Sequence, residues 1–189
     1  MTIDDFLQYV SAAGSLLTGI GTLALAFVGN QFVQNKQFEH KFDLAKEAVK
    51  VFNHLKNDLQ QIRSPFGYEG EIKELEGLEE SNDLIASMKK YTSGGLVFLR
   101  MNKRGESLAH MNRLEPEFKA VFGDTKAFES MRSVRHEIYV AAQMICSGAG
   151  IKDYSSIIYS FGKDDELSKK MQCAVEEIEK ICSPVLKGK

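Results

Sequence analysis

Between Asp5 and Lys36 the chain carries no charged side chain, and from Phe6 to Val28 it is dominated by Leu, Ile, Val, Phe, Ala and Gly. Crossing the hydrocarbon core of a bilayer takes roughly 20 apolar residues in a helix, and this stretch is long enough. A cleaved secretory signal would need a basic start and a small-x-small end. Here the start is acidic, and Ala26-Phe27-Val28 offers no such end. The sequence therefore predicts a retained transmembrane anchor over residues 1–35 and a separate domain over 36–189. A buried core helix is the competing reading of the same residues. Lys36, Lys41 and Lys46 follow the stretch and no base precedes it, so the positive-inside rule predicts an outside N-terminus and a cytosolic domain.

Within the stretch, Gly14, Thr18, Thr22 and Ala26 recur every four residues, and Ser11, Ser15 and Gly19 form an adjacent stripe. Small residues at that spacing let helices pack closely in lipid, where Ser and Thr bond across the interface. Self-association is the expectation. A weakly polar pore is a further possibility, but no charged ring lines the span. The competing reading is that Gly and Ala are simply common in membrane helices.

Past the stretch, Phe38, Phe42, Ala45, Val49, Phe52, Leu55, Leu59 and Ile62 alternate steps of three and four up to Pro65. That spacing predicts an amphipathic helix continuing the anchor, with Gly29 as the one weak point. Leu44, Ala48, Val51 and Leu55 widen its apolar face. Ser64 to Tyr68 reads as a turn, and Glu69 to Asp83 holds seven carboxylates and one lysine, expected as a solvated loop or helix face. Further helices are predicted from Asp83 to Tyr91, from Leu108 with a kink or restart at Pro116, from Asp124 or Thr125 to Cys146, and from Asp165 to Cys182. Thr92-Ser93-Gly94-Gly95 is expected to interrupt, and Tyr154 to Phe161 to form a short strand or helix. The fold class is mainly all-α, with no convincing sheet.

The net charge of −2 argues against a general nucleic-acid binder, DNA included. Three cysteines without Cys-x-x-Cys spacing argue against a zinc site or disulfide framework. Histidines 40, 54, 110 and 136 are dispersed, and His136-Glu137 are adjacent on a helix, about 100° apart, so they cannot jointly clamp one atom. No nucleophile elbow, phosphate loop or dinucleotide fingerprint occurs. No cofactor, metal or catalytic residue is expected, and the chain does not read as an enzyme.

The one strong electrostatic anomaly is local: Lys89, Lys90, Arg100, Lys103 and Arg104 fall within sixteen residues free of acids. Tyr91, Thr92, Ser93, Gly94, Gly95 and Phe98 are interleaved. Guanidinium and ammonium heads, glycine amides, hydroxyls and an aromatic ring are the groups that bind phosphates and stack a base. The competing reading is a basic surface that balances the acidic run upstream; contact with anionic lipid is a third.

The small-residue stripes of the anchor, the rod from Asn35 ending in Arg63-Ser64-Pro65-Phe66, and the closing Ala174-Val175-Glu176-Glu177-Ile178-Glu179 helix resemble a broad group of bacterial anchored helical proteins. Within it, the chain most resembles the membrane effectors of type III CRISPR antiviral defence that are switched by cyclic tetra-adenylate. The resemblance is architectural, over the whole chain. It implies a homotetramer in the bacterial inner membrane that binds the cyclic nucleotide and acts on the lipid bilayer through its helices. The basic cluster is the candidate for the ligand's phosphates. The alternative is a membrane-tethered interaction or scaffold module without a nucleotide.

Overall fold

A computed structural model describes residues 3–79, 92–148, 151–159 and 165–188, with side chains in the first helix described at Thr18 and from Gly21 onward. Every regular element among these residues is an α-helix: α1 Ile3–Ile62, α2 Glu69–Glu79, α3 Thr92–Lys103, α4 Gly105–Phe122, α5 Lys126–Cys146, α6 Ile151–Ile158 and α7 Glu166–Leu186. The predicted helix between Asp83 and Tyr91 lies outside the described residues. The chain divides into two compact units, Met1–Asp43 and Leu44–Lys189.

In the first unit, α1 is unbroken through Gly29. Its described apolar side chains are open to solvent: Leu23 is 73% exposed, Leu25 76% and Phe27 64%, with Val28, Phe32 and Val33 also exposed. Among the described residues no helix is long and apolar enough to cross a membrane. Side chains of the charge-free stretch are described at Thr18 and from Gly21 onward, where Asn30, Gln31, Gln34 and Asn35 follow the apolar run. From Ile3 onward the residues of the expected transmembrane anchor are part of one long helix. Thr18, Thr22 and Ala26 lie on this exposed helix, where the Thr22 hydroxyl donates to the Thr18 carbonyl at 2.9 Å. Ser11, Gly14, Ser15 and Gly19 lie in the same helix, and their side chains are outside the described set.

In the second unit, the remainder of α1 buries Leu44, Ala45, Ala48, Val51, Phe52, Leu55, Leu59 and Ile62 in one core with Val49 packed partly against it, whereas Phe38, the start of the first predicted stripe, is 48% exposed. The centre of that core is α5, which packs against α3, α4, α6 and α7. Its predicted inner face of Phe128, Met131, Val134, Ile138, Ala141 and Ile145 is fully buried. Phe128 meets Phe52 edge-on at 4.9 Å and Phe118 at 5.2 Å, joining α1, α4 and α5. Gly123 ends α4 in the left-handed conformation (φ 78°), returning its amide to the Lys119 carbonyl, and Asp165 caps α7 by accepting from the Ser168 amide.

Three local expectations change. Pro116 does not restart a helix but lies inside α4, with Met111, Leu114 and Phe118 buried on both sides of it. Pro184 sits inside α7 rather than ending it, and Val185 and Leu186, partly buried against the core, follow it. Gly94 and Gly95 lie within α3, where they permit close approach. A Cβ at Gly94 would stand 2.6 Å from Cys146 Sγ and 2.8 Å from the Ala142 carbonyl, and one at Gly95 would meet Leu75 at 3.1 Å.

Candidate functional site

The turn that ends α1 is held by two buried arginines. Arg63, 0% exposed, follows the helix directly. Its Nε donates to the Ile157 carbonyl at 2.7 Å, and Nη2 to the carbonyls of Ser156 and Tyr159 at 2.9 and 3.1 Å. Its Nη1 reaches Asp165 Oδ1 at 2.9 Å and Ser168 Oγ at 3.4 Å. One guanidinium therefore satisfies the last carbonyls of α6 and pairs with the N-cap of α7. Burial pushes the Asp165 carboxyl up, but the bonds from Ser168 and the Arg63 charge outweigh it, and its pKa lies below the ordinary range.

Arg100, 4% exposed, clamps the same turn from α3. Its Nη1 donates to the carbonyls of Ser64 (2.7 Å) and Ile62 (3.3 Å), and Nη2 to that of Phe66 (2.6 Å). Nε and Nη2 also hold both oxygens of Glu71, at 3.1 and 2.8 Å. The Arg100 hydrogen bond keeps the Glu71 carboxyl below its usual range. Burying a guanidinium is tolerated only when its donors are satisfied in this way.

The basic cluster expected to bind phosphate is therefore largely spent within the fold. Arg100 is a structural clamp, Lys103 is bonded to Glu74, and Arg104 stands 3.5 Å from Asp58. Lys89 and Lys90 lie outside the described residues. For Arg100 and Lys103 the partners come from the acidic run upstream, as the balancing reading expects. Gly94 and Gly95 turn their small size to helix packing, not to a phosphate cradle.

A different set of residues converges in a groove of about 400 Å³ between α4 and α5, lined by Leu108, Asn112, Arg132, Arg135, His136 and Tyr139. Periodicity builds it: 108 and 112 share one face of α4, and 132, 136 and 139 follow one another along one face of α5. Both oxygens of Glu115 hold Arg132, with Nη2 to Oε1 at 2.9 Å, and this hydrogen bond draws the Glu115 carboxyl below its usual range. Tyr139, 41% exposed, is held edge-on by Phe98 of α3 at 5.2 Å. Among the described residues Arg135 makes no ion pair, while Arg63, Arg100, Arg104 and Arg132 each have one.

His136 and Glu137 go separate ways, as their adjacency on a helix dictates: His136 lines this groove, and Glu137 pairs with Lys170 at 3.1 Å. Among the described residues no group of three His, Cys, Asp or Glu side chains stands ready for a metal ion. The cysteines are free. Burial pushes the Cys182 thiol up to about 11 and raises that of Cys146, whereas Cys173 is exposed.

Comparison with known proteins finds no matching family model, curated protein or solved structure.

Proposed function

We propose that the chain is a membrane-anchored effector that senses an anionic nucleotide. In this reading the N-terminal part of α1 enters the bacterial inner membrane and self-associates, as a homotetramer, through its small-residue stripes. The second unit lies in the cytosol and takes a cyclic oligoadenylate such as cyclic tetra-adenylate, and ligand binding acts on the bilayer through α1.

The observation that carries the reading is the exposure of Leu23, Leu25, Phe27, Val28 and Phe32 on one helix. Apolar exposure on that scale marks a surface meant for lipid or for another chain, and the charge-free sequence that precedes it brings the apolar run to membrane-spanning length. Alkaline carbonate extraction of membranes from cells expressing the full chain tests the anchor. Retention in the pellet is expected, and release into the supernatant overturns the membrane part. Titrating the detergent-solubilised chain with cyclic tetra-adenylate tests the ligand, and absence of binding at micromolar concentration overturns that part.

The internal pairing of Arg100, Lys103 and Arg104 favours a second reading, a membrane-tethered interaction module without a nucleotide. That reading expects retention in the pellet and one stoichiometric cytosolic partner, with no response to cyclic tetra-adenylate.

A further inference from the structure

We infer that the groove between α4 and α5 is a nucleotide-monophosphate subsite, with Arg135 taking the phosphate and the Tyr139 ring the base. This deepens the ligand-sensing half of the proposed function, rests on it, and is independent of the membrane half.

The argument begins with charge. Two other clefts in the second unit set their cations beside acids of the same lining, Glu129 and Glu166 in one and Glu106 beside Lys50 in the other. The cleft between α5 and α7, about 560 Å³, sets Lys169 and Lys170 against Glu129 and Glu166, with Lys170 also held by Glu137. The cleft between α1 and α4, about 250 Å³, has His110 on Glu47 at 2.6 Å and Ser107 bonded to Asp58. In the α4–α5 groove, Glu115 neutralises Arg132 and holds its guanidinium in place, while Arg135 has no acidic partner among the described residues and no acid lines the groove beside it. A guanidinium left unpaired on the surface is ordinary. One that shares a groove with a second, fixed guanidinium, an imidazole and an aromatic ring has the parts of a phosphate site, since planar, forked donors match phosphate oxygens.

The aromatic wall decides what accompanies the phosphate. The edge contact with Phe98 fixes the Tyr139 ring and leaves the side chain 41% exposed. A ring positioned beforehand loses little freedom on stacking, and base stacking is tolerant of base identity. Asn112, on the α4 side of the groove, carries a side-chain amide whose donor and acceptor suit the exocyclic amine and ring nitrogens of a base. Inorganic phosphate alone would use half of these groups. At about 400 Å³ the groove falls toward the small end of ligand sites, the size of a single nucleotide unit and too small for a whole cyclic oligomer.

The test is titration of the full chain in detergent with adenosine 5′-monophosphate, inorganic phosphate and adenosine, followed by amide NMR shifts and calorimetry. The monophosphate is expected to bind at least tenfold more tightly than either fragment and to shift amides in 108–112 and 132–139. Arg135→Glu should weaken it tenfold or more, as expected for loss of a charge-assisted contact, while Arg135→Lys retains part of the affinity. Tyr139→Ala should bring the monophosphate toward the affinity of phosphate. Both positions are at the surface, and unchanged melting curves establish that the variants fold. The inference is overturned if the monophosphate fails to bind, binds no better than phosphate, or binds Arg135→Glu as well as the parent chain. Cyclic tetra-adenylate run in parallel separates the two claims. If it binds the parent and Arg135→Glu equally, the sensing proposal stands and this groove is not its site; if neither ligand binds, both fall.

Discussion

The two stretches of α1 have similar apolar character and opposite surroundings. From Leu44 to Ile62 the large apolar side chains vanish into a core, with Phe52 and Ala48 at 0% exposure, whereas Leu23, Leu25 and Phe27 are 64–76% exposed. The difference lies in sequence pattern. In the later stretch polar residues such as Lys46, Glu47, Lys50, Asn53 and Asn57 interrupt the stripe and leave one face for packing. Between Phe6 and Val28 apolar and small residues go all round the helix, so no single face is set aside for packing. A helix that is apolar all round is buried in a large core or in lipid. Burial, not helix formation, is what distinguishes the two.

Substitutions that delete the same ring in each stretch should give the largest contrast. Phe52→Ala leaves a cavity beside Phe128 and should destabilise the second unit by about 3–5 kcal/mol. Phe27→Ala removes a ring with little around it and should change the stability of the detergent-solubilised chain by no more than about 0.5 kcal/mol. Urea unfolding of both variants is the measurement. A large effect at Phe27 would break the comparison by placing that ring in a packed environment.

A second contrast concerns how each stretch ends. The buried stretch finishes in Arg63, whose loss would remove the bonds it donates to Asp165 and to three carbonyls. Arg63→Ala should cost about 3–5 kcal/mol, as expected for breaking a buried ion pair from one side. The same contact sets an acid limit. Asp165 and Glu71 titrate lower in the folded chain than in the unfolded one, so between the two values the unfolded chain binds more protons. Their contribution is complete above the ordinary carboxylate range, about pH 4, and is lost as the pH falls through the folded values. Melting temperatures recorded from pH 6 down to pH 2 should drop below about pH 4, and Asp165→Asn should flatten part of that drop.

How much of this was readable in the sequence depends on the distance over which each residue finds its partner. The α5 face, the Gly123 stop and the start of α7 near Asp165 are set by neighbours within a turn or two, and each was legible. Arg63 and Arg100 were not, since their partners lie up to 105 residues away and a basic residue shows nothing of its burial. Gly94 misled for the same reason: it reads as a breaker locally, and only the approach of Cys146 explains it. For the groove, a faint signal existed in Arg132, Arg135, His136 and Tyr139, which are grouped on one side of α5 away from its apolar face. Picking it out required knowing that acids had already claimed the stronger cluster upstream.

Introducing charge sharpens the contrast further. A side chain at Gly21 meets nothing within 4 Å, so Gly21→Arg should leave folding in detergent unchanged. In a bilayer the same arginine should cost roughly 2–3 kcal/mol, a little under the value at a helix centre, because it can reach toward the interface. Co-flotation with liposomes should fall accordingly. Equal flotation of the variant and the parent would mean that this part of α1 does not enter lipid.

The smallest effect should come from Gly29, the weak point of the exposed stretch. Glycine inside a helix is less favourable than alanine by about 1 kcal/mol, and a Cβ at this position would meet nothing within 4 Å. Gly29→Ala should therefore slow amide exchange in the surrounding turns about fivefold or less and leave the melting of the second unit unchanged, because the stabilisation is local. Assembly should also be unaffected, since Gly29 lies outside both small-residue stripes. Loss of self-association in Gly29→Ala would mean that a second copy fills the space beside this glycine. The exposed stretch would then be half of a helix interface, and its contrast with Leu44–Ile62 would be one of partner chain against core rather than of lipid against core.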